Sequence, residues 1–539
     1  MKKRIFLCLI SVLLLAFPWL GLPGYMLLGA FVPLFLLQDE LDGKTNRKGK
    51  PAKICAYIAG TFACWSALTV WWVGNSVLLV SGSAVMAVFV SAACVAVAMF
   101  VTVLPFMAFH YFRRRAPKAL AYAVLVSAWV GYEFIFVHGE ITFPWLILGN
   151  GFANSIEAVQ WYEYTGALGG SVWVLACNIA IYEAIRLRRT RKSHKVWIRP
   201  AMWIVVPLVF SLALYVSYQE DENPIVVQVI QPNFDPYEKF ESLSFQEQTE
   251  IILRLAMQAP PGTDYFVAPE TAIDEQLPEE ALEHNNYVEL MRYFLRQGYP
   301  DAAVVIGATT SRRYFSETEA TYTARQAGNN TWIDYYNTAL AIDTAQDVGV
   351  YHKSKLVAGA EMIPYVRRFP FLKKLSVDLG GTSGQLGVDD RRSVFSSSDG
   401  VSVGVPICWE AVFGEYTTDF SREGAQALFV ISNDAWWGET AGHKQLFAFS
   451  RLRAIEARRS IARSANTGLS GFIDQRGRIV SRTQWNERTS LNGTIHLNDK
   501  LTLYVRFGDI IGRICCFVFG LCVLYYVAYR RRQKDHLVK

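Results

Sequence analysis

Charge is scarce in this 539-residue chain: Asp, Glu, Lys and Arg together make up 19% of it. A disordered or low-complexity protein carries more charge and fewer apolar residues than the 52% found here. Cysteine is sparse too, nine residues in all, and a small disulfide-stapled scaffold is far shorter than this chain. Mean hydropathy is +0.18. That is high for a soluble enzyme and low for a chain made only of membrane helices, so the average conceals two kinds of sequence.

The apolar residues concentrate in stretches at about 5–20, 24–38, 54–74, 77–110, 119–138, 161–185, 200–218 and 508–529. Most approach the roughly 20 residues that a spanning helix needs, which predicts about eight spans. The first stretch follows Lys2, Lys3 and Arg4 as a signal peptide would. It runs into Pro18, Trp19 and Leu20 rather than a small-residue cleavage site, so a retained helix is expected. The segments 21–23, 75–76 and 139–160 contain no Lys or Arg, whereas 1–4, 44–53, 113–118, 186–199 and 530–539 are basic. This alternation is the positive-inside pattern. It places both termini in the cytoplasm and residues 219–505 on the outer side. The expected division is a membrane bundle at 1–218, an outer domain at 219–505, and a last span with a basic tail at 506–539.

Within 219–505 short β-branched runs alternate with helical patterns, and no internal repeat is visible. Strands are expected at 225–231, 264–268, 303–309, 337–343, 401–407 and 427–432. Helices are expected at 245–257, 279–296, 411–423 and 443–459, with a hairpin over 471–480 and loops at 316–330 and 380–387. That is a layered α/β domain. It holds 27 basic and 37 acidic residues, a net of −10, against +16 for the rest of the chain. An acidic outer domain argues against nucleic acid as a partner.

Eight of the nine cysteines lie in apolar stretches, and only Cys408 lies in 219–505. The domain therefore has no internal disulfide. A lone cysteine is ordinarily a small buried hydrophobe, but Cys408 follows an expected strand and precedes an expected helix. That turn lifts a side chain out of a sheet and brings it near backbone N–H groups and a helix dipole, which lower a thiol pKa and hold an oxyanion. A thiol nucleophile needs a base. Of the nearby histidines, His284 and His443 sit in surface-like helical patterns and His496 in a late strand, which leaves His352. The carboxylate alternative is Glu270, at the end of the apolar run Phe266–Ala268, where α/β sheets place their sites. Lys353 offers an ammonium for an oxyanion. From spacing alone, a Glu and a Lys are more often simply solvated.

Pro269-Glu270-Thr271-Ala272, Tyr351-His352-Lys353 and Ile407-Cys408-Trp409-Glu410 are similar to the three signatures of the nitrilase superfamily. Glu423-Gly424-Ala425, the run 432–438, Arg453-Ala454-Ile455-Glu456 and Asn466-Thr467-Gly468, together with the membrane stretches, resemble its membrane-embedded branch, which acylates lipoproteins. The resemblance implies an αββα sandwich joined to an α-helical membrane bundle. It implies Glu270 as general base, Lys353 as oxyanion holder and Cys408 as nucleophile. Glu361 and Asn337 match supporting positions, and Glu410 matches the acidic residue two after the nucleophile. Tyr237 and Trp409 are the candidates for substrate gating. Ala358-Gly359-Ala360 departs from the Pro-Phe-Gly usual before the supporting glutamate, in a loop expected to gate the site.

The implied activity is acyl transfer from a phospholipid, through a thioester on Cys408, to the N-terminal amine of a diacylglyceryl-modified apolipoprotein. It implies no metal, no cofactor and no nucleic acid, and a monomer in the bacterial inner membrane. Two other classes fit the residues less closely. One is a membrane-tethered amidase that hydrolyses a small amide, for which seven preceding spans are excessive. The other is a non-catalytic receptor, which leaves the three signatures unexplained.

Overall fold

The computed structural model describes residues 1–44, 51–190, 193–235, 244–369, 385–389 and 391–538. It divides into two units. One comprises Met1–Gly74, Val88–Ser217 and Phe507–Lys539; the other comprises Asn75–Ala87 and Tyr218–Arg506.

Among the described residues, eight helices are long and apolar enough to cross a membrane: Lys2–Leu20, Gly24–Asp42, Pro51–Val70, Ala84–Arg113, Lys118–His138, Tyr162–Thr190, His194–Ser217 and Ile510–Gln533. Large apolar side chains such as Phe100, Val216 and Phe517 are exposed along them, as expected of faces that meet lipid. Backbone groups at membrane depth have no water to bond, so any irregularity must be satisfied by protein. In the second span a 3-10 turn over Gly24–Gly29 gives way to the helix Val32–Lys44. Asn178 patches the break: its Oδ1 accepts the N–H groups of Phe31 (2.7 Å) and Val32 (3.2 Å), and its Nδ2 donates to the Leu27 carbonyl at 2.7 Å. The segment 139–160, expected as an outer loop, is instead three short 3-10 turns with Leu148, Phe152 and Ile156 buried. The backbone there is satisfied internally: Glu133 Oε1 accepts the Leu148 N–H at 2.9 Å and the Tyr162 hydroxyl donates to the Gly149 carbonyl at 2.9 Å.

The apolar run 77–110 is interrupted. One helix ends at Ser81 and the next begins at Ala84. The Ser81 hydroxyl folds back on the Val77 carbonyl and Gly82 takes a φ of +63°, a left-handed conformation that stops a helix. The piece before the break, expected inside the membrane bundle, joins the second unit. Asn75 Nδ2 donates to the Trp437 carbonyl at 2.8 Å.

The second unit is built on two sheets. The strands in chain order are β1 (Pro224–Gln231), β2 (Tyr265–Val267), β3 (Ile273–Pro278), β4 (Ala303–Tyr314), β5 (Arg325–Gly328), β6 (Thr331–Ile342), β7 (Gly349–His352), β8 (Val394–Ser396), β9 (Ser402–Gly404), β10 (Ala427–Ser432), β11 (Ile461–Ala465), β12 (Gly471–Ile473), β13 (Ile479–Arg482) and β14 (Thr489–His496). The first sheet runs β14-β1-β2-β4-β6-β5, with β3 on β4 and β7 on β6; the second runs β13-β12-β11-β10-β9-β8. Strands β1, β2 and β4 are mutually parallel, as are β9, β10 and β11. Side chains alternate between the faces of a strand, and β2 shows the layering directly. Phe266 meets Phe294 and Tyr299 under the helices Phe245–Ala256 and Asn286–Gly298. Its neighbour Tyr265 packs on Phe429 of the other sheet, and its hydroxyl donates to the Val401 carbonyl at 3.2 Å. Helices Gly414–Arg422 and Ala441–Ala457 accompany the second sheet. This is the αββα sandwich.

Several expected elements differ in extent. The 401–407 run is a strand only over Ser402–Gly404, because Pro406 has no N–H for the ladder; Ile407 then makes a single bridge to Ile431. The 337–343 run begins earlier, at Thr331, because β4 and β6 pair antiparallel from Val304–Ile342 to Tyr314–Trp332. Part of the expected loop 316–330 forms β5 on that ribbon. Tyr237 and residues 380–384 lie outside the described residues.

Asp434, just past β10, and Arg463, in the middle of β11, form a fully buried bidentate pair at 2.9 and 3.1 Å. Removing one partner of such a pair strands a charge in the interior and costs roughly 3–5 kcal/mol. Asp434→Ala is therefore expected to lower the thermal unfolding midpoint of the detergent-purified protein sharply. An unchanged midpoint would show that the pair contributes little.

Candidate active site

The carboxyl ends of parallel strands from both sheets meet at one place, where α/β folds collect functional groups. Glu270 follows β2, Cys408 follows β9 and Asn433 follows β10, while Asn337 sits on β6 and Lys353 leaves the end of β7. Glu270, Lys353 and Asn337 are all buried. Lys353 Nζ donates to Glu270 Oε1 and to Glu361 Oε1, each at 2.8 Å. Asn337 Nδ2 donates to the same two oxygens at 2.8 and 3.1 Å. The second Glu270 oxygen accepts the Asn433 N–H at 3.0 Å. Burial alone would push the Lys353 ammonium down. Glu270 and Glu361 outweigh it, with Cys408 in support, and hold Lys353 well above its ordinary value.

Glu361 reaches this cluster by a tight turn. Gly359, at φ +88°, donates its N–H to the Met362 carbonyl at 2.7 Å, and Glu361 Oε2 accepts the Val357 N–H at 2.8 Å. The Ala358-Gly359-Ala360 departure is thus compatible with a glutamate that meets the lysine.

Cys408 is buried and has a φ of 54°. Its sequence context suggested a thiol acidified by a helix dipole. The structure corrects this. Cys408 opens only a 3-10 turn, Cys408–Val412, too short to carry a useful dipole. Burial, and then Glu270, push the thiol up, while Lys353 pulls it down by less.

The turn is held by Glu410, which is fully buried. Its carboxylate accepts from the Ile407 N–H (2.8 Å), the Ser354 N–H (2.8 Å), the Lys355 N–H (3.1 Å), the Tyr416 hydroxyl (2.7 Å) and the Tyr351 hydroxyl (3.0 Å). Burial pushes this carboxyl up and the donors act against it. One side chain therefore ties the segment before Cys408 to the segment after Lys353.

The histidines are elsewhere. His352, the strongest histidine candidate for a base, points away from Lys353 and is engaged by Glu279 at 2.6 Å and Asp389 at 3.1 Å. His443, expected at the surface, is fully buried and stacks on Trp485 at 4.3 Å; its first helical turn packs inward, not outward. His284 is exposed. Trp409, expected to gate, is buried instead, with its indole N–H donating to the Lys355 carbonyl at 2.5 Å and Phe413 edge-on at 5.4 Å.

The profile of the family described as carbon-nitrogen hydrolase matches residues 229–500, half of the chain, and covers every residue of this cluster. The chain belongs to the carbon-nitrogen hydrolase family. A second profile, described as the apolipoprotein N-acyltransferase N-terminal domain, matches residues 11–180. Similarity also extends over whole chains. An apolipoprotein N-acyltransferase of Chlorobaculum tepidum is 29% identical over 99% of this chain and 98% of its own. Another, from Geobacter metallireducens, is 26% identical over 97% and 95%. Among solved structures, Saccharomyces cerevisiae Nit3 of the nitrilase superfamily aligns with a TM-score of 0.35 at 16% identity, over 51% of this chain and 90% of its own. Within the carbon-nitrogen hydrolases, this chain is thus a membrane-embedded acyltransferase relative.

Two contributors escape a reading of residue types. Asn433 acts through its backbone N–H, which no side-chain argument reaches. Gly307 is a glycine inside β4, a common sign of close backbone approach. A Cβ there would lie 2.5 Å from the Thr271 nitrogen and 2.6 Å from the Glu270 Cα. Gly307→Ala is expected to displace Glu270 and to lower acyl transfer about 100-fold, with the protein still folded. Steady-state kinetics beside a thermal melt checks it, and wild-type kcat would show that the site absorbs the methyl group.

Proposed function

We propose that the chain transfers an acyl group from a membrane phospholipid to the N-terminal amine of a diacylglyceryl-modified lipoprotein, through a thioester on Cys408. One observation carries the reading: a buried ammonium held between Glu270 and Glu361, near a buried thiol that burial pushes up and Lys353 pulls down. Glu270 takes the Cys408 proton as the sulfur attacks the phospholipid ester carbonyl. Lys353 offsets the charge that develops on the carbonyl oxygen. The ester C–O bond breaks, and the proton returns from Glu270 to the departing lysophospholipid oxygen. The acceptor amine then attacks the thioester. The C–S bond breaks as the amide forms, and the amine's proton passes through Glu270 to the thiolate. The step is ping-pong chemistry. Glu361 and Asn337 position Lys353 and Glu270, and Glu410 positions the Cys408 turn.

Both substrates are anchored by acyl chains, which accords with eight spanning helices. The alternation of basic loops supports cytoplasmic termini and an outward catalytic domain in the inner membrane. Tyr237 remains the proposed gate, and the working unit is a monomer.

Purified full-length protein incubated with phospholipid vesicles is expected to gain one acyl mass on the peptide containing Cys408. A diacylglyceryl-cysteine peptide should discharge it as an N-acyl product. Cys408→Ala and Lys353→Ala should each lower transfer by at least about 1,000-fold without loss of folded protein. A folded wild type that never acquires the adduct, or that releases only free fatty acid, would overturn the reading, the second result favouring a hydrolase.

A further inference from the structure

Lys353 is flanked by two residues whose side chains leave it in the opposite direction, and both close on the same aspartate. His352 Nδ1 lies 3.1 Å from Asp389 Oδ1, and the His352 N–H donates to Asp389 Oδ2 at 3.2 Å. The Ser354 hydroxyl donates to the Asp389 carbonyl at 2.7 Å and accepts the Asp389 N–H at 3.1 Å. The other imidazole nitrogen lies 2.6 Å from Glu279 Oε1, and the ring stacks on Tyr336 with centroids 3.9 Å apart. The tripeptide 352–354 is therefore gripped on one face, while Lys353 enters the catalytic cluster on the other.

We propose that His352, Asp389 and Glu279 form a charge clamp that positions Lys353, assembled only while the His352 ring carries its proton. The proposal rests on the reading in which Lys353 and Cys408 are catalytic.

Among the described residues, the charged and titratable groups facing the ring come from each neighbouring element. Glu279 follows β3 and also accepts the Thr310 hydroxyl of β4 at 2.7 Å. Asp389 belongs to 385–389 and feels Arg312 of β4. Tyr336 of β6 is hydrogen-bonded to Tyr314 of β4 at 3.0 Å. Burial works against the charged ring, but Asp389 and Glu279 outweigh it and raise His352 to about 9. A raised histidine contributes fully below its unfolded value of about 6.5. That contribution is lost as pH rises through about 9. A buried neutral imidazole no longer balances two carboxylates, so the grip on 352–354 loosens.

The test uses full-length wild type and His352→Gln in detergent and reads two rates. One is steady-state acyl transfer. The other is alkylation of Cys408 by iodoacetamide, followed on its own peptide by mass spectrometry, which needs no lipid substrate. His352→Gln is expected to lower kcat about 10- to 100-fold with KM changed less than about twofold. The wild-type kcat should decline as pH rises through about 9, and that limb should be missing in the variant. The alkylation profiles should diverge over the same interval. If His352→Gln does not accumulate, Glu279→Gln, which retains a hydrogen-bonding group and removes one of the two charges that raise the ring, should move the limb to lower pH and separate the alkylation profiles from wild type in the same way. Superimposable pH profiles for wild type and variant would overturn the clamp. So would a variant with a lowered melting midpoint but wild-type kcat at a temperature where it is folded. Divergent alkylation profiles in a protein that transfers no acyl group would uphold the clamp and sink the acyltransferase reading alone.

Discussion

A buried ammonium must be paired, and Lys353 is nearly inaccessible to solvent. An uncompensated charge at such depth costs several kcal/mol, so the two carboxylates at 2.8 Å are a condition for the fold as well as for the chemistry. Meeting that condition recruits separate pieces of chain. Glu270 must stand at the end of β2, Glu361 must return through the Gly359 turn, and Asn337 must fill the gap between them from β6. Asn433 then neutralises the remaining Glu270 oxygen from the other sheet. The sandwich is pinned together at the point where its reactive groups meet.

The electrostatic consequence is a division of labour. The lysine is held charged, and the thiol beside it is held neutral by burial and by Glu270. In the proposed reaction the proton leaves Cys408 when an acyl carbonyl arrives, and Glu270, which accepts three hydrogen bonds, receives it. The ammonium then faces more negative charge than before, the condition under which a fixed, desolvated cation contributes most.

The parts legible in the sequence were those that depend on composition and residue type. Helices long enough to span are long apolar runs, and the eight among the described residues are visible in the sequence for that reason. The isolation of Cys408 from the other cysteines follows from the same division. Strand β10 is readable because the five-residue apolar run Ala427–Ile431, between Gly424 and Asn433, has few alternatives. What escaped depends on partners distant in sequence. Strand β6 begins at Thr331 because β4 is opposite it, and Asn75–Ala87 leaves the membrane bundle because Gly82 breaks its helix and Asn75 finds the Trp437 carbonyl. The direction of the thiol's shift is not legible in residue types, because the turn at Cys408 is a single 3-10 turn rather than a helix and burial outweighs any dipole.

Glu410 explains how so short a turn is held without that dipole. A residue at positive φ with a side chain larger than glycine is strained, and Cys408 is kept there by its surroundings. The Glu410 carboxylate supplies them, taking the N–H just before the cysteine and two N–H groups just after the lysine. Its hydrogen bonds come from backbone N–H groups and tyrosine hydroxyls, and burial pushes the carboxyl up against them. Such an arrangement tolerates no loss of a donor, which makes it rigid. Lys353 and Cys408, 55 residues apart in sequence, thereby share one anchor. The Trp409 indole N–H, donating to the Lys355 carbonyl, adds a second tie between the same two segments.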